Sequence, residues 1–78
     1  MIAIKFTNSA FSNNYIFETI TLMQFSVQRT EKNSKVVFQF QNKQDLARLI
    51  ATLRVLEAMI QWDNPNFERS LKYELVQD

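Results

Sequence analysis

The chain has 78 residues, of which 46% are apolar and 22% are charged, and its net charge is +1. This balance predicts one small globular domain, because a disordered chain of this length would carry fewer apolar side chains and a larger net charge. Cysteine, histidine and glycine are all absent. The composition therefore excludes disulfides, thiolate or imidazole metal sites and glycine-dependent phosphate loops, so we expect no cofactor.

The distribution of apolar and acidic residues narrows the function classes further. No apolar run approaches the roughly 20 residues of a membrane span, and the first six residues lack the basic and apolar blocks of a signal peptide. We therefore expect a cytoplasmic protein without a membrane partner. The acidic residues are scattered and no histidine can activate a serine, so we also expect no enzyme and no small-molecule substrate. Glu57 is expected to pair with Arg54 or a lysine.

The first thirty residues predict two strands. Three apolar residues alternate with other residues at the start of the chain, which is typical of a strand with one apolar face: Ile2, Ile4 and Phe6. Residues 8–14 are rich in Asn and Ser and predict a loop. The run 15–30 is rich in β-branched and aromatic residues and predicts a second strand. Its apolar positions change parity, so a bulge is expected near residues 22–23.

A third strand is predicted over residues 35–41, where three apolar side chains share one face: Val36, Phe38 and Phe40. The Lys32-Asn33 pair indicates the turn before it. Pairing Arg29 with Ser34 gives one register. A turn that is shorter by two residues gives a different register but leaves the same side chains on each face.

A long helix follows, from about residue 43 to about residue 62. Asn42 can cap its first turn, since Asp45 stands three residues later as in a capping box. Residues 63–65, with a proline, end the helix. In the terminal segment 64–78, apolar residues recur every four positions and favour a short helix. Leu71, Tyr73 and Leu75 also alternate, so a fourth strand is the alternative.

These elements predict an α+β fold in a single domain, 1–78. A three-stranded antiparallel β-meander, over about residues 1–41, packs on the long helix of about 43–62. The terminal segment 64–78 follows as a C-terminal helix or a fourth strand.

The long helix is apolar on two sides. One stripe has the spacing of an ordinary core face: Leu46, Leu49, Ile50, Leu53, Leu56 and Ile60. A second stripe lies on roughly the opposite side: Ala47, Ala51, Val55, Ala58, Met59 and Trp62. One sheet cannot bury both sides of a helix. We expect the second stripe to be covered by the terminal segment, by another protein chain, or by both, with alanines that permit close helix approach.

The leading functional hypothesis is therefore a non-catalytic interaction module, homodimeric through the second stripe or acting as adaptor, inhibitor or modulator of a larger protein. The composition, rich in Asn, Gln, Lys and Phe, resembles that of small accessory proteins from AT-rich phage, plasmid or bacterial genomes, which favours a modulator. The alternative is a weakly basic nucleic-acid-binding domain that uses the polar sheet face. Its candidate contacts are Lys5, Gln24, Gln28, Arg29, Lys35 and Gln39.

Overall fold

The computed structural model describes residues 2–32 and 35–76. The chain is α+β, with four strands and two helices in those ranges. In chain order they are β1 (Ile2–Asn8), α1 (Asn13–Leu22), β2 (Val27–Lys32), β3 (Lys35–Phe40), α2 (Lys43–Asp63) and β4 (Lys72–Val76). The strands form one antiparallel sheet in the order β2-β3-β1-β4. The predicted meander is therefore replaced by a sheet in which β3 and β1 lie at the centre.

Each helix joins two strands that have a third strand between them, which is the split βαβ arrangement. Both helices lie on the same face of the sheet. Ile4 and Phe38 are directly opposite each other on that face, and both are completely buried with Ile16 of α1 and Leu49 of α2. The topology thus leaves the other face of the sheet without a covering layer in the described part of the chain.

Helix α1 occupies the first half of the run 15–30, where a second strand with a bulge was expected. That prediction is wrong for this half and for the bulge, and residues 27–30 of the run do lie in a strand, β2. Ser12 caps the helix, since its hydroxyl accepts a hydrogen bond from the Tyr15 N–H at 3.1 Å. Ile16 and Ile20 lie four residues apart and are both buried. The change in parity that suggested a bulge reflects this helical period. Burial of the two isoleucines outweighs the low helix propensity of a segment rich in β-branched and aromatic residues.

The chain leaves α1 through a Schellman motif that is formed without glycine. The Phe25 N–H donates to the Ile20 carbonyl at 3.3 Å, and the Gln24 N–H donates to the Thr21 carbonyl at 3.0 Å. This geometry requires a left-handed residue, and Gln24 has a φ of 61°. A residue with a side chain is strained in that conformation, by about 1–2 kcal/mol. Gln24 thus belongs to the turn after α1 and not to the sheet.

Replacing Gln24 with glycine should stabilise the fold. Glycine adopts a positive φ without steric cost, so we expect the free energy of unfolding to rise by about 1 kcal/mol. Urea denaturation with circular dichroism measures the change. Gln28→Gly, at an exposed position of β2 with ordinary backbone, is the control and should lower stability. A loss of stability in both variants would contradict a strained Gln24.

The β2–β3 hairpin has the register of the shorter turn. Lys32 is opposite Lys35, and Val27 is opposite Phe40. The first expected register, which paired Arg29 with Ser34, is therefore wrong, because Arg29 lies opposite Phe38; Ser34 itself lies outside the described residues. As expected for either register, Val27 is on the same face as Phe40, since a shift by an even number of residues preserves the faces.

Helix α2 runs over Lys43–Asp63, as the sequence predicts. The Asn42 side chain accepts a hydrogen bond from the Asp45 N–H at 2.8 Å and donates one to the Asp45 carboxylate at 3.2 Å. Leu49 and Leu53 of the predicted core stripe are completely buried. Within the described residues, neither helix combines the length and the apolar character needed to cross a lipid bilayer.

The terminal segment forms the fourth strand, which was the alternative to the preferred helix. Strand β4 pairs with β1, with Leu75 opposite Ile4 and Tyr73 opposite Phe6. Leu71, just before the strand, is buried in the core. Pairing satisfies the backbone groups along the outer edge of β1, which a terminal helix would have left without partners in the sheet.

Glu57 anchors the start of β4 to α2. Its side chain is 1% exposed, and one carboxylate oxygen accepts hydrogen bonds from the N–H groups of Ser70 at 2.8 Å and Leu71 at 3.0 Å. Among the described residues, Glu57 forms neither the expected ion pair with Arg54 nor one with a lysine. The carboxylate instead satisfies two backbone donors that the turn into β4 leaves outside the sheet ladder.

Removing this carboxylate should destabilise the fold more than removing an exposed one. In Glu57→Ala the two N–H groups lose their acceptor, so we expect a loss of about 3 kcal/mol in the free energy of unfolding. Glu68→Ala, which removes an exposed carboxylate from the same connection, should change it by less than about 0.5 kcal/mol. Similar values for the two variants in urea denaturation would contradict the anchoring role.

Candidate interaction surfaces

The second stripe of α2 faces away from the sheet. It lies opposite the side that carries Leu49 and Leu53, and those two residues are buried. Val55, Met59 and Trp62 are consequently 57%, 60% and 87% exposed. The six residues predicted as an interface form one surface, which we call the outer stripe: Ala47, Ala51, Val55, Ala58, Met59 and Trp62.

Residues 64–76 of the terminal segment do not cover the outer stripe. This part of the chain passes the other side of α2, where Glu57 binds its backbone and the Gln61 side chain donates to the Phe67 carbonyl at 3.2 Å. It then enters the sheet as β4. Of the two covers expected from the sequence, the described part of the terminal segment is therefore excluded, and the described residues leave the stripe open to solvent.

A second apolar feature is a groove between α2 and β4. It encloses about 520 Å³ and runs along the side of the helix, next to the outer edge of the sheet. Its walls are mainly apolar: Ile2, Lys43, Leu46, Ala47, Ile50, Ala51, Tyr73 and Leu75. Sequence reasoning missed this groove because the segment that forms one wall was expected to be a helix. The alternation of Leu71, Tyr73 and Leu75 was the signal for the strand that forms this wall.

The polar face of the sheet assembles only part of the predicted nucleic-acid site. Gln28 and Gln39 are directly opposite each other on the face without helices, and Lys5 and Lys35 lie on the same face. Gln24 is excluded from it by the turn after α1.

Arg29 is not on this face either, because it alternates in step with Val27 and lies opposite Phe38 on the helix side. Its guanidinium lies over the Phe17 ring, 5.7 Å from the centroid. It donates to the Asn14 side chain at 2.9 Å and to Glu31 at 3.1 Å. Arg29 therefore holds the first helix against the sheet edge and is not free to contact a ligand on the open face.

Charge on the open face does not favour phosphate binding. Of the six candidate contacts, the face retains two cations, Lys5 and Lys35. Lys5 is 3.5 Å from the Glu74 carboxylate, which partly neutralises it. Nucleic-acid binders obtain much of their affinity from several cations that neutralise phosphates together. The arrangement is closer to the solvated polar face that antiparallel sheets commonly present.

The nucleic-acid alternative has a direct test at low ionic strength. We expect no retardation of mixed-sequence duplex or single-stranded DNA or RNA by the wild-type chain in about 20 mM salt, where phosphate contacts are strongest. If retardation occurs and Lys35→Glu abolishes it, the open face binds nucleic acid. Arg29→Glu, on the opposite face, is then the control that should retain binding if it remains folded.

Acidic side chains do not form a metal site in the described residues, where no group of three or more lies together. Glu57, the one buried carboxylate among them, already accepts two backbone hydrogen bonds. Comparison with protein-family models, with curated proteins and with solved structures finds no match for this chain. Function is therefore inferred from the exposed surfaces of the fold.

Proposed function

We propose that this chain is a non-catalytic protein-interaction module that binds through the outer stripe of α2. The observation that carries the proposal is the exposure of Val55, Met59 and Trp62 on one side of a single helix. Scattered apolar residues are normal on a protein surface, but contiguous apolar patches mark interaction sites. Trp62 is almost fully exposed, so covering it would remove more apolar surface from water than covering Val55 or Met59.

The outer stripe has the residue types of a helix-packing surface. Small side chains at 47, 51 and 58 let a second helix approach closely. Met59 can adapt its shape to a neighbour, and Trp62 can fill a pocket as an anchor. The expected partner is a second copy of the chain, with the outer stripes packed against each other around a two-fold axis. A larger protein, bound by the chain as adaptor, inhibitor or modulator, is the other possible cover.

The test is a charge placed in the middle of the stripe. In Val55→Glu the carboxylate would be buried without a counterion in the complex, so we expect the dissociation constant of self-association to rise about 100-fold or more. The isolated chain should remain folded, because Val55 is 57% exposed in it. Light scattering over a range of concentrations measures the mass, and circular dichroism checks the fold.

Gln28→Glu is the matched control, since it adds one carboxylate at an exposed position on the opposite face of the molecule. It should not change the mass. If the wild type is an oligomer whose mass Val55→Glu leaves unchanged, the outer stripe is not its interface. If the wild type is a monomer, a second copy is excluded as the partner. The Gln28→Glu variant must then still bind the larger protein, and the Val55→Glu variant must not bind it.

A further inference from the structure

The two edges of the sheet differ in how they are protected against pairing. On the helix side of β2, Arg29 and Glu31 form an ion pair at 3.1 Å, and edge charges of this kind discourage further strands. On the helix side of β4, the residues are Tyr73 and Leu75, next to the apolar groove. In the described residues no strand lies beyond β4. The outer backbone groups of β4 and the apolar side chains on its helix side can therefore contact the same additional strand.

We propose that β4 pairs with β4 of a second copy of this chain, antiparallel and with Tyr73 on the two-fold axis. In this register Lys72 lies opposite the partner's Glu74, and Glu74 lies opposite the partner's Lys72. The edge of β4 is thus complementary in charge to itself, and opposite charges in facing positions stabilise a strand pair. The groove shares Ala47 and Ala51 with the outer stripe, but the proposed contact does not use Val55, Met59 or Trp62, the exposed residues that carry the proposed function.

Charge and layer arguments together select this register. Centring the pair on Glu74 would set two carboxylates directly opposite each other, which is destabilising. A register shifted by one residue would place the helices of the two copies on opposite faces, since facing residues share a face. The groove of each copy would then remain uncovered. Centring on Tyr73 keeps both helical layers on one face and opposes unlike charges.

The groove supplies the apolar part of this contact. In the proposed register, Tyr73 meets the partner's Tyr73 on the helix side, and Leu75 lies opposite position 71 of the second copy, where the leucine side chain is buried in its own core. The two grooves lie on either side of the axis, and their walls at Ala47 and Ala51 allow the two α2 helices to approach. The result is a continuous eight-stranded antiparallel sheet in which strand β4 is no longer an edge.

A single cysteine tests the register directly, because the chain contains no cysteine of its own. Residues facing each other across an antiparallel pair have Cα atoms about 4.5–5.5 Å apart, which is within the range of a disulfide. Tyr73→Cys should therefore form a covalent dimer with oxidised glutathione, and dithiothreitol should reverse it. Circular dichroism checks that the variant is folded without the edge-to-face contact of the Tyr73 and Phe6 rings, whose centroids are 6.5 Å apart.

Leu75→Cys is the matched control. Its side chain is more exposed than that of Tyr73, 58% against 37%, so random collisions would oxidise it faster. In the proposed register its two copies lie about 14 Å apart, four residues along the strand, and cannot be bridged. Faster cross-linking of Leu75→Cys or of Glu74→Cys than of Tyr73→Cys would overturn the register. The absence of cross-linking in all three would overturn the pairing.

Charge reversal gives a second, non-covalent test, carried out in the Val55→Glu background so that the outer stripe does not contribute. Lys72→Glu and Glu74→Lys each set like charges opposite each other, so each should weaken dimerisation about tenfold. An equimolar mixture should restore the affinity, since each chain then meets opposite charges. Light scattering measures the masses. If both single variants dimerise like the parent, or if mixing restores nothing, β4 does not pair as proposed, and this result leaves the outer stripe untouched.

Discussion

A long helix with two apolar sides can bury only one of them against a sheet. This constraint shapes the whole molecule. Leu49 and Leu53 are completely buried against the sheet, so the opposite side of α2 must face outward. The split βαβ connection places α1 and α2 on one layer, and the described residues contain no further layer above it. The exposure of the outer stripe is thus a consequence of the topology.

Glu57 attaches the last strand of the sheet to the same helix. A carboxylate buried on the core side of α2 is costly unless its oxygens are hydrogen-bonded. Here the backbone of Ser70 and Leu71 supplies both donors, at the point where the chain turns into β4. The last strand is therefore attached twice, by its ladder with β1 and by this contact with α2. The groove exists because these two attachments hold β4 beside the helix with a space between them.

The elements that were predicted correctly are those with a strong local pattern. Strands β1 and β3 alternate cleanly, and α2 combines a cap at Asn42 with a sustained helical period. Helix α1 was missed because its stability comes from burying Ile16 and Ile20 in the core, whereas its local composition favours a strand. The groove could not be located from sequence at all, since it depends on β4 lying next to β1, a contact between the two ends of the chain.

The two surfaces differ in how far the sequence specifies them. The outer stripe follows from the helical period alone, so its six residues come together in any fold where α2 forms. The edge of β4 depends on tertiary structure, because Lys72 and Glu74 acquire their alternating positions only when the segment becomes a strand. The chain has 78 residues, so its core is small, and small domains commonly gain stability from association. Pairing at β4 would extend the sheet and leave Val55, Met59 and Trp62 of the outer stripe exposed, because the groove shares only Ala47 and Ala51 with that stripe. A dimer formed at the edge would thus present two outer stripes on one face, and a partner that contacts both would bind more tightly than a partner that contacts one.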